Sequence, residues 1–215
     1  MSTDISSYLV KVEHIFSEID KEYEYAQKHY GDFSCEGCQD NCCTTVFYHH
    51  TLAEYFYLAE GLDQVDDKIM NVMVMRSEMY FNEVIKNPFN VESLRIMCPL
   101  NLNDKCCVYK NRPLICRIHG VPSILHTPRR ETQKWNGCKR FEAQHKEPYD
   151  HSIDRTKLFT QLATLEGQLR KDLVFPQRYK KTIAEMVLDY IKGEITAVNR
   201  NTSAKEIIRN NFGSY

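Results

Sequence analysis

Nine cysteines, set in two groups and a late single, constrain this 215-residue chain more than any other feature. The first group reads Cys35-x2-Cys38-x3-Cys42-Cys43, and the second reads Cys98-x7-Cys106-Cys107-x8-Cys116, with Cys138 further on. An odd count leaves one thiol over in any fully paired disulfide framework. The N-terminus MSTDISSYLVKVEHIF lacks the basic and apolar regions of an export signal, so the expected compartment is the reducing cytoplasm, where such a framework would not stay oxidised. Metal ligation is therefore the expected use of the cysteines. A C-x2-C turn sets two sulfurs a metal bite apart, and a distant second group that completes the site closes a long loop, so the sulfurs of Cys35 or Cys38 are expected to approach those of Cys98, Cys106 or Cys116. Adjacent cysteines point apart. Cys42 and Cys43 are thus expected to serve different centres, or to divide into a ligand and a packing residue, and the same holds for Cys106 and Cys107.

The chain around the cysteines reads as helical. Ile5, Tyr8, Leu9, Val12, Ile15, Phe16, Ile19 and Tyr23 recur at helical steps, with Ser2, Thr3 or Asp4 as caps and an end before Gly31. Residues 31–50 have no period. A short helix follows from Thr51 to Glu60, with Thr51 as its cap and Gly61 as its stop. Another runs from about Asp66 to Lys86, its core stripe formed by Ile69, Val72, Met73, Arg76, Met79, Tyr80 and Val84, and Pro88 ends it. The methionines from Met70 to Met79 are read as core rather than as soft-metal ligands. Residues 87–149 carry five cysteines and six prolines with no sustained period, so their order is expected to come from bound metal and to be lost with it. Leu158, Phe159, Leu162, Leu165 and Leu169 form one later stripe, and Tyr179, Ile183, Met186, Val187 and Tyr190 another. Residues 199–215 form a polar tail in which Ser203 and Glu206 match a capping box.

Charge and hydropathy narrow the function classes. With 28 basic and 29 acidic residues, no net field draws the chain to nucleic acid or an anionic membrane, and no apolar run is long enough to span a bilayer. Several cysteine motifs fail on spacing. A radical-SAM run would need a cysteine where Thr45 stands, a bacterial ferredoxin run one where Asn41 stands, and a zinc ribbon a second C-x2-C. No phosphate loop, dinucleotide fingerprint or nucleophile elbow is present.

Taken together, the first group, Cys98-Pro99-Leu100 and the run CCVYKNRPLICR from Cys106 to Arg117 resemble the CxxCxxCC (YkgJ-like) cysteine-cluster family of zinc- or iron-chelating proteins. Cys98, Cys106, Val108, Tyr109, Arg112, Pro113, Cys116 and Arg117 fit its second motif, and Cys138 fits its late cysteine. The resemblance covers about residues 35–140. It departs from the family in an extra residue between Cys38 and Cys42, in Asn101, and in Cys107, which makes Cys107 the odd thiol. The resemblance implies a ligand set of Cys35, Cys38, Cys42, Cys43, Cys98, Cys106, Cys116 and Cys138. The expected metal is an iron–sulfur cluster, 4Fe-4S by preference, or zinc. A larger relative, flagellin lysine methylase, is said to carry an iron–sulfur cluster and to transfer methyl groups to lysine, which keeps a cluster-dependent enzyme as the alternative to a structural or electron-transfer role.

Other residues near the cysteines take expected roles. His49, His50 or His119 could complete a site of three thiolates and one imidazole, though such histidines are more often hydrogen-bond donors to a ligand or surface residues. Arg112, Arg117 and Lys105 are expected to offset thiolate charge, and Tyr109 and Pro113 to be structural, the tyrosine packed inside. Pro128-Arg129-Arg130 reads as a solvated loop that could contact an anionic protein partner. The expected fold is a single, mostly α domain over residues 1–215, with a cysteine-rich core at 35–140.

Overall fold

The computed structural model describes residues 4–34, 42–127, 130–193 and 195. Seven α-helices dominate them, in keeping with the expected mostly α class. The 24-residue α1, Ser6–His29, buries Tyr8, Leu9, Val12, Ile15, Phe16, Ile19 and Ala26 along one face. Asp4 Oδ1 accepts from the Ser6 N–H at its start (2.9 Å). Gly31, at φ +66°, takes the left-handed conformation just past its end. Ser2 and Thr3 lie outside the described residues, as does the polar tail with Ser203 and Glu206.

The central element is α2, Leu52–Leu62, apolar all round and buried except at Glu60. Thr51 caps it as expected, accepting from the Glu54 N–H at 3.1 Å. A second cap comes from α6, Thr156–Asp172, whose Glu166 carboxylate accepts from the Ala53 N–H at 3.1 Å. Gly61 does not stop this helix. It lies inside, where a Cβ would meet Asn111 Cβ at 2.7 Å, so the glycine admits the 3-10 turn Tyr109–Asn111 against the helix. Asn111 Nδ2 fastens that turn by donating to the Tyr57 carbonyl (2.8 Å).

The stripe on α3, Asp67–Lys86, is rotated from the expected one. Met70, Met73, Val74, Ser77, Tyr80 and Val84 are buried, whereas Ile69, Val72, Met75 and Met79 are 37–66% exposed. The sequence holds two apolar rows about a quarter turn apart, and periodicity alone does not tell which one faces α7, Ile183–Lys192. Thr182 and Glu185 form a full capping box at the start of α7, and Gly193 at φ +66° closes it. On α6, Leu158, Leu162, Leu165 and Leu169 are buried as the stripe requires. Tyr179 is buried but precedes α7.

Residues 87–149 differ most from expectation. They form short elements: a hairpin of β1, Asn101–Leu102, and β2, Lys105–Cys106; α4, Leu114–Ile118; β3, Ser123–Leu125, and β4, Gln133–Trp135; and α5, Lys139–Gln144. With β5, Ile153–Asp154, they complete a three-stranded sheet of order β4-β3-β5, antiparallel then parallel. The segment also has core contacts of its own. Leu100, Val108, Leu114 and Ile118 join the main core with α1, α2 and α6, and Val121, Cys138, Phe141 and Ile153 form a second cluster with Ala26 and Phe33. Scattered single apolar residues with no period carry this packing, so metal need not supply all of its order. No helix among the described residues is long and apolar enough to cross a membrane.

Because the Gly61 site has no room for a methyl group, Gly61→Ala should destabilise the fold although alanine favours a helix. Overpacking costs about 1–3 kcal/mol against a gain of about 1 kcal/mol in propensity. Urea unfolding should show a lower midpoint, and an unchanged or raised midpoint would mean that Asn111 does not hold its place.

Candidate metal centre

The two cysteine groups are joined by backbone pairing. The Cys98 N–H donates to the Cys43 carbonyl (2.6 Å) and the Ile96 N–H to the Thr44 carbonyl (3.0 Å), while Thr45 and Arg95 form an antiparallel bridge. This lays the end of the first group along the start of the second. The chain then turns through the β1–β2 hairpin, where Asn103 and Asp104 take φ +52° and +62°, the left-handed pair of a two-residue turn that Asn and Asp tolerate well. The hairpin returns Cys106 beside Asn101. Pro113, at φ −63°, starts α4 and sets Cys116 in its first turn.

Cys42, Cys43, Cys98, Cys106 and Cys116 line one cavity of about 1070 Å³. The expected approach of Cys35 or Cys38 to the second group falls outside the described residues; of the first group, the cavity is lined by Cys42 and Cys43. No disulfide joins any two of the seven described cysteines. Cys106 and Cys107 part as adjacent cysteines should: Cys106 lines the cavity and Cys107, held by its N–H to the Leu100 carbonyl (2.9 Å), does not. Cys42 and Cys43 do not part in this way. Both line the cavity, and their thiols share a hydrogen bond. Cys138 stands apart in the second core cluster, at the start of α5.

Electrostatics set one thiol against the others. The hydrogen bond from Cys42, helped by Asn101, pulls the Cys43 thiol down to about 6. Burial pushes Cys106 up to about 11. Burial and then the neighbouring Cys116 raise Cys98 far above the usual thiol range, and burial and then Cys106 do the same to Cys116. Burial and mutual repulsion thus both keep Cys98, Cys106 and Cys116 as neutral thiols, and a bound cation would reverse that preference. By donor type these side chains suit a thiophilic metal. Among the described residues no group of three or more His, Cys, Asp or Glu side chains is placed to hold a metal ion. A single zinc ion would draw four sulfurs to within ~4 Å of one another, whereas thiolates that bind different irons of a cluster stand further apart.

The basic residues take other places than expected. Arg117 is 3% exposed and lies on the Phe16 ring, with Nη1 on Asp20 Oδ2 at 2.5 Å and Nε on the Arg112 carbonyl at 2.9 Å. Its charge is met by α1 rather than by thiolate. Arg112 divides its charge, pairing with Asp20 Oδ1 at 3.0 Å while it offsets part of the rise at Cys106 and Cys116. Lys105 lines the cavity from an exposed position. Tyr109 is not packed inside; it is 64% exposed and stacks under the Arg112 guanidinium at 3.9 Å. Arg130 is exposed, and Pro128 and Arg129 lie outside the described residues.

The three histidines also separate. His50 is exposed and does not line the cavity, whereas His119 lines it against the Phe47 ring. His49 lines it as well, and burial, with His50 beside it, holds the ring neutral by pushing its pKa down to about 3. Sequence reasoning missed Glu54, which is buried behind the cysteines. Its Oε1 accepts from the Leu114 N–H at 3.0 Å and its Oε2 from the Thr51 hydroxyl at 2.8 Å, which ties α2 to α4 beneath Cys116. Its place in an apolar helix as the partner of the Thr51 cap was the only sign in the sequence.

Cys107→Ser should keep the metal content of the parent chain, and Cys116→Ser should weaken metal retention about tenfold or more. Metal analysis after dialysis against a weak chelator reads both, and equal loss in the two variants would bring Cys107 into the ligand set. Comparison with protein-family models, with curated proteins and with solved structures found no match, so the family resemblance rests on its motif residues and the reading of the site on its geometry.

Proposed function

We propose that the chain is a cytoplasmic metal-binding protein of the cysteine-cluster kind. In this reading it holds an iron–sulfur cluster, or zinc, in the thiol cavity and serves a structural or electron-transfer role. The observation that carries the reading is that Cys43 of the first group and Cys98, Cys106 and Cys116 of the second line one cavity. Buried thiols that repel one another as anions support it, because bound metal would replace their protons and free energy of binding would add to that of folding. Bound there, a cluster would supply one-electron chemistry. The chain's own part would be to shield it with Phe16, Tyr57 and Tyr80 and to lessen its negative charge with Arg112.

The size of the cavity favours a second reading, a cluster-dependent enzyme of redox or group-transfer type. At about 1070 Å³ the space is on the scale of pockets that take a small molecule. Part of its lining is the polar face of α1, with Glu13, Ser17, Asp20 and Glu24.

Anaerobic purification, followed by an optical spectrum and by iron, sulfide and zinc analysis, tests the proposal. Iron and sulfide in equal amounts with visible charge-transfer absorption are expected. Stoichiometric zinc without sulfide would select the zinc form, and a chain that takes up neither after reconstitution would refute metal binding. A small molecule that alters the cluster spectrum at stoichiometric amounts would favour the enzyme.

A further inference from the structure

His49 follows Cys43 by six positions, and the backbone clamps it. Its N–H donates to the Lys181 carbonyl at 2.7 Å, and its carbonyl accepts from the Lys181 N–H at 3.0 Å. The clamp ties the segment after the first cysteine group to the residue before the cap of α7 and fixes the imidazole in the cavity wall, where His49 is 2% exposed. Neither Nδ1 nor Nε2 has a hydrogen-bond partner. A buried ring with both nitrogens unsatisfied is costly, and native chains keep one where an ion or a water completes it. Glu54 Oε1 lies 4.0 Å from Nδ1, beyond hydrogen-bond length but on the side from which a carboxylate orients a metal-bound imidazole. The Cys116 thiol lines the same cavity and is close enough for the Glu54 charge to act on it.

Building on the metal-binding reading above, we propose that His49 is a ligand of the metal centre, with Nε2 on the metal and Nδ1–H turned to the Glu54 carboxylate. The arrangement makes the centre one of mixed imidazole and thiolate ligands. An imidazole in place of a thiolate removes a negative charge from the centre, so a cluster held this way has a higher reduction potential than one held by cysteines alone. It also gives each of the three histidines near the cysteines a separate standing: His50 faces solvent, His119 packs on Phe47, and His49 lines the cavity with both ring nitrogens buried and unsatisfied.

The test compares the full chain with His49→Gln and His49→Cys, each reconstituted anaerobically with iron and sulfide, and in parallel samples with zinc. Pulsed electron paramagnetic resonance on the reduced cluster, or X-ray absorption on the zinc form, reads bound imidazole directly. The parent should show imidazole nitrogen coupled to the metal, and His49→Gln should lose it. If His49→Gln fails to fold, His49→Cys supplies a thiolate at the same place; it should keep its iron, lose the nitrogen signal and shift the potential downward. A nitrogen signal that survives in either variant, or a metal-loaded parent without one, overturns the assignment while leaving the metal-binding reading intact. A parent that takes up neither iron nor zinc overturns both.

Discussion

The hydrogen bond from the Cys98 N–H to the Cys43 carbonyl, with its neighbour from Ile96 to Thr44, is the constraint on which the site depends. It joins segments more than fifty positions apart and carries thiols from both to one cavity. Around it the helices act as a frame. The apolar α2 occupies the centre, α1 and α6 close on it, and α4 is pinned to it by the Glu54 carboxylate on the Leu114 N–H. The turn at Asn103 and Asp104 and the proline before α4 then aim Cys106 and Cys116 at the same space. Backbone pairing thus prepares a place where thiols meet before any metal is considered.

That preparation has an electrostatic cost. Burial first, and then the neighbouring thiols, push Cys98 and Cys116 toward the neutral form, while Cys43 is drawn down by the hydrogen bond from Cys42. Positive charge nearby does little to relieve this, since Arg117 is held by Asp20 and backbone carbonyls, and Arg112 is shared. The pair of arginines therefore organises the approach of α1 to α4 more than it neutralises thiolate. A cation in the cavity is the element that would balance the site, and for this reason the site and the stability of the surrounding loops are expected to be linked.

The helices were legible in the sequence wherever one apolar stripe stood alone, as on α1 and α6. They were misread where two stripes competed, as on α3, because the choice between the Met70–Met73 row and the Ile69–Val72 row is made by α7 and not by period. Gly61 was read as punctuation, although its role is steric and set by Asn111, a residue fifty positions away. At the site, vicinal geometry predicts that Cys106 and Cys107 part, and the family resemblance, not spacing, says which of the two stays out of the cavity. Not legible was the order of the middle segment, whose core residues Leu100, Val108, Leu114 and Phe141 are single anchors on short turns that no periodic pattern records. Nor did local sequence show that Arg117 and Glu54 are spent on holding elements together, since both partners lie far along the chain.

The central claim is that thiols of both groups hold one metal centre. A residue-resolved alkylation footprint tests it most directly, with each cysteine read by mass spectrometry in the metal-free chain and in the chain loaded with iron and sulfide or with zinc. The account predicts that loading protects Cys43, Cys98, Cys106 and Cys116 together while Cys107 reacts at its metal-free rate. Protection of one group without the other, or protection of Cys107 to the same degree as Cys106, would contradict it.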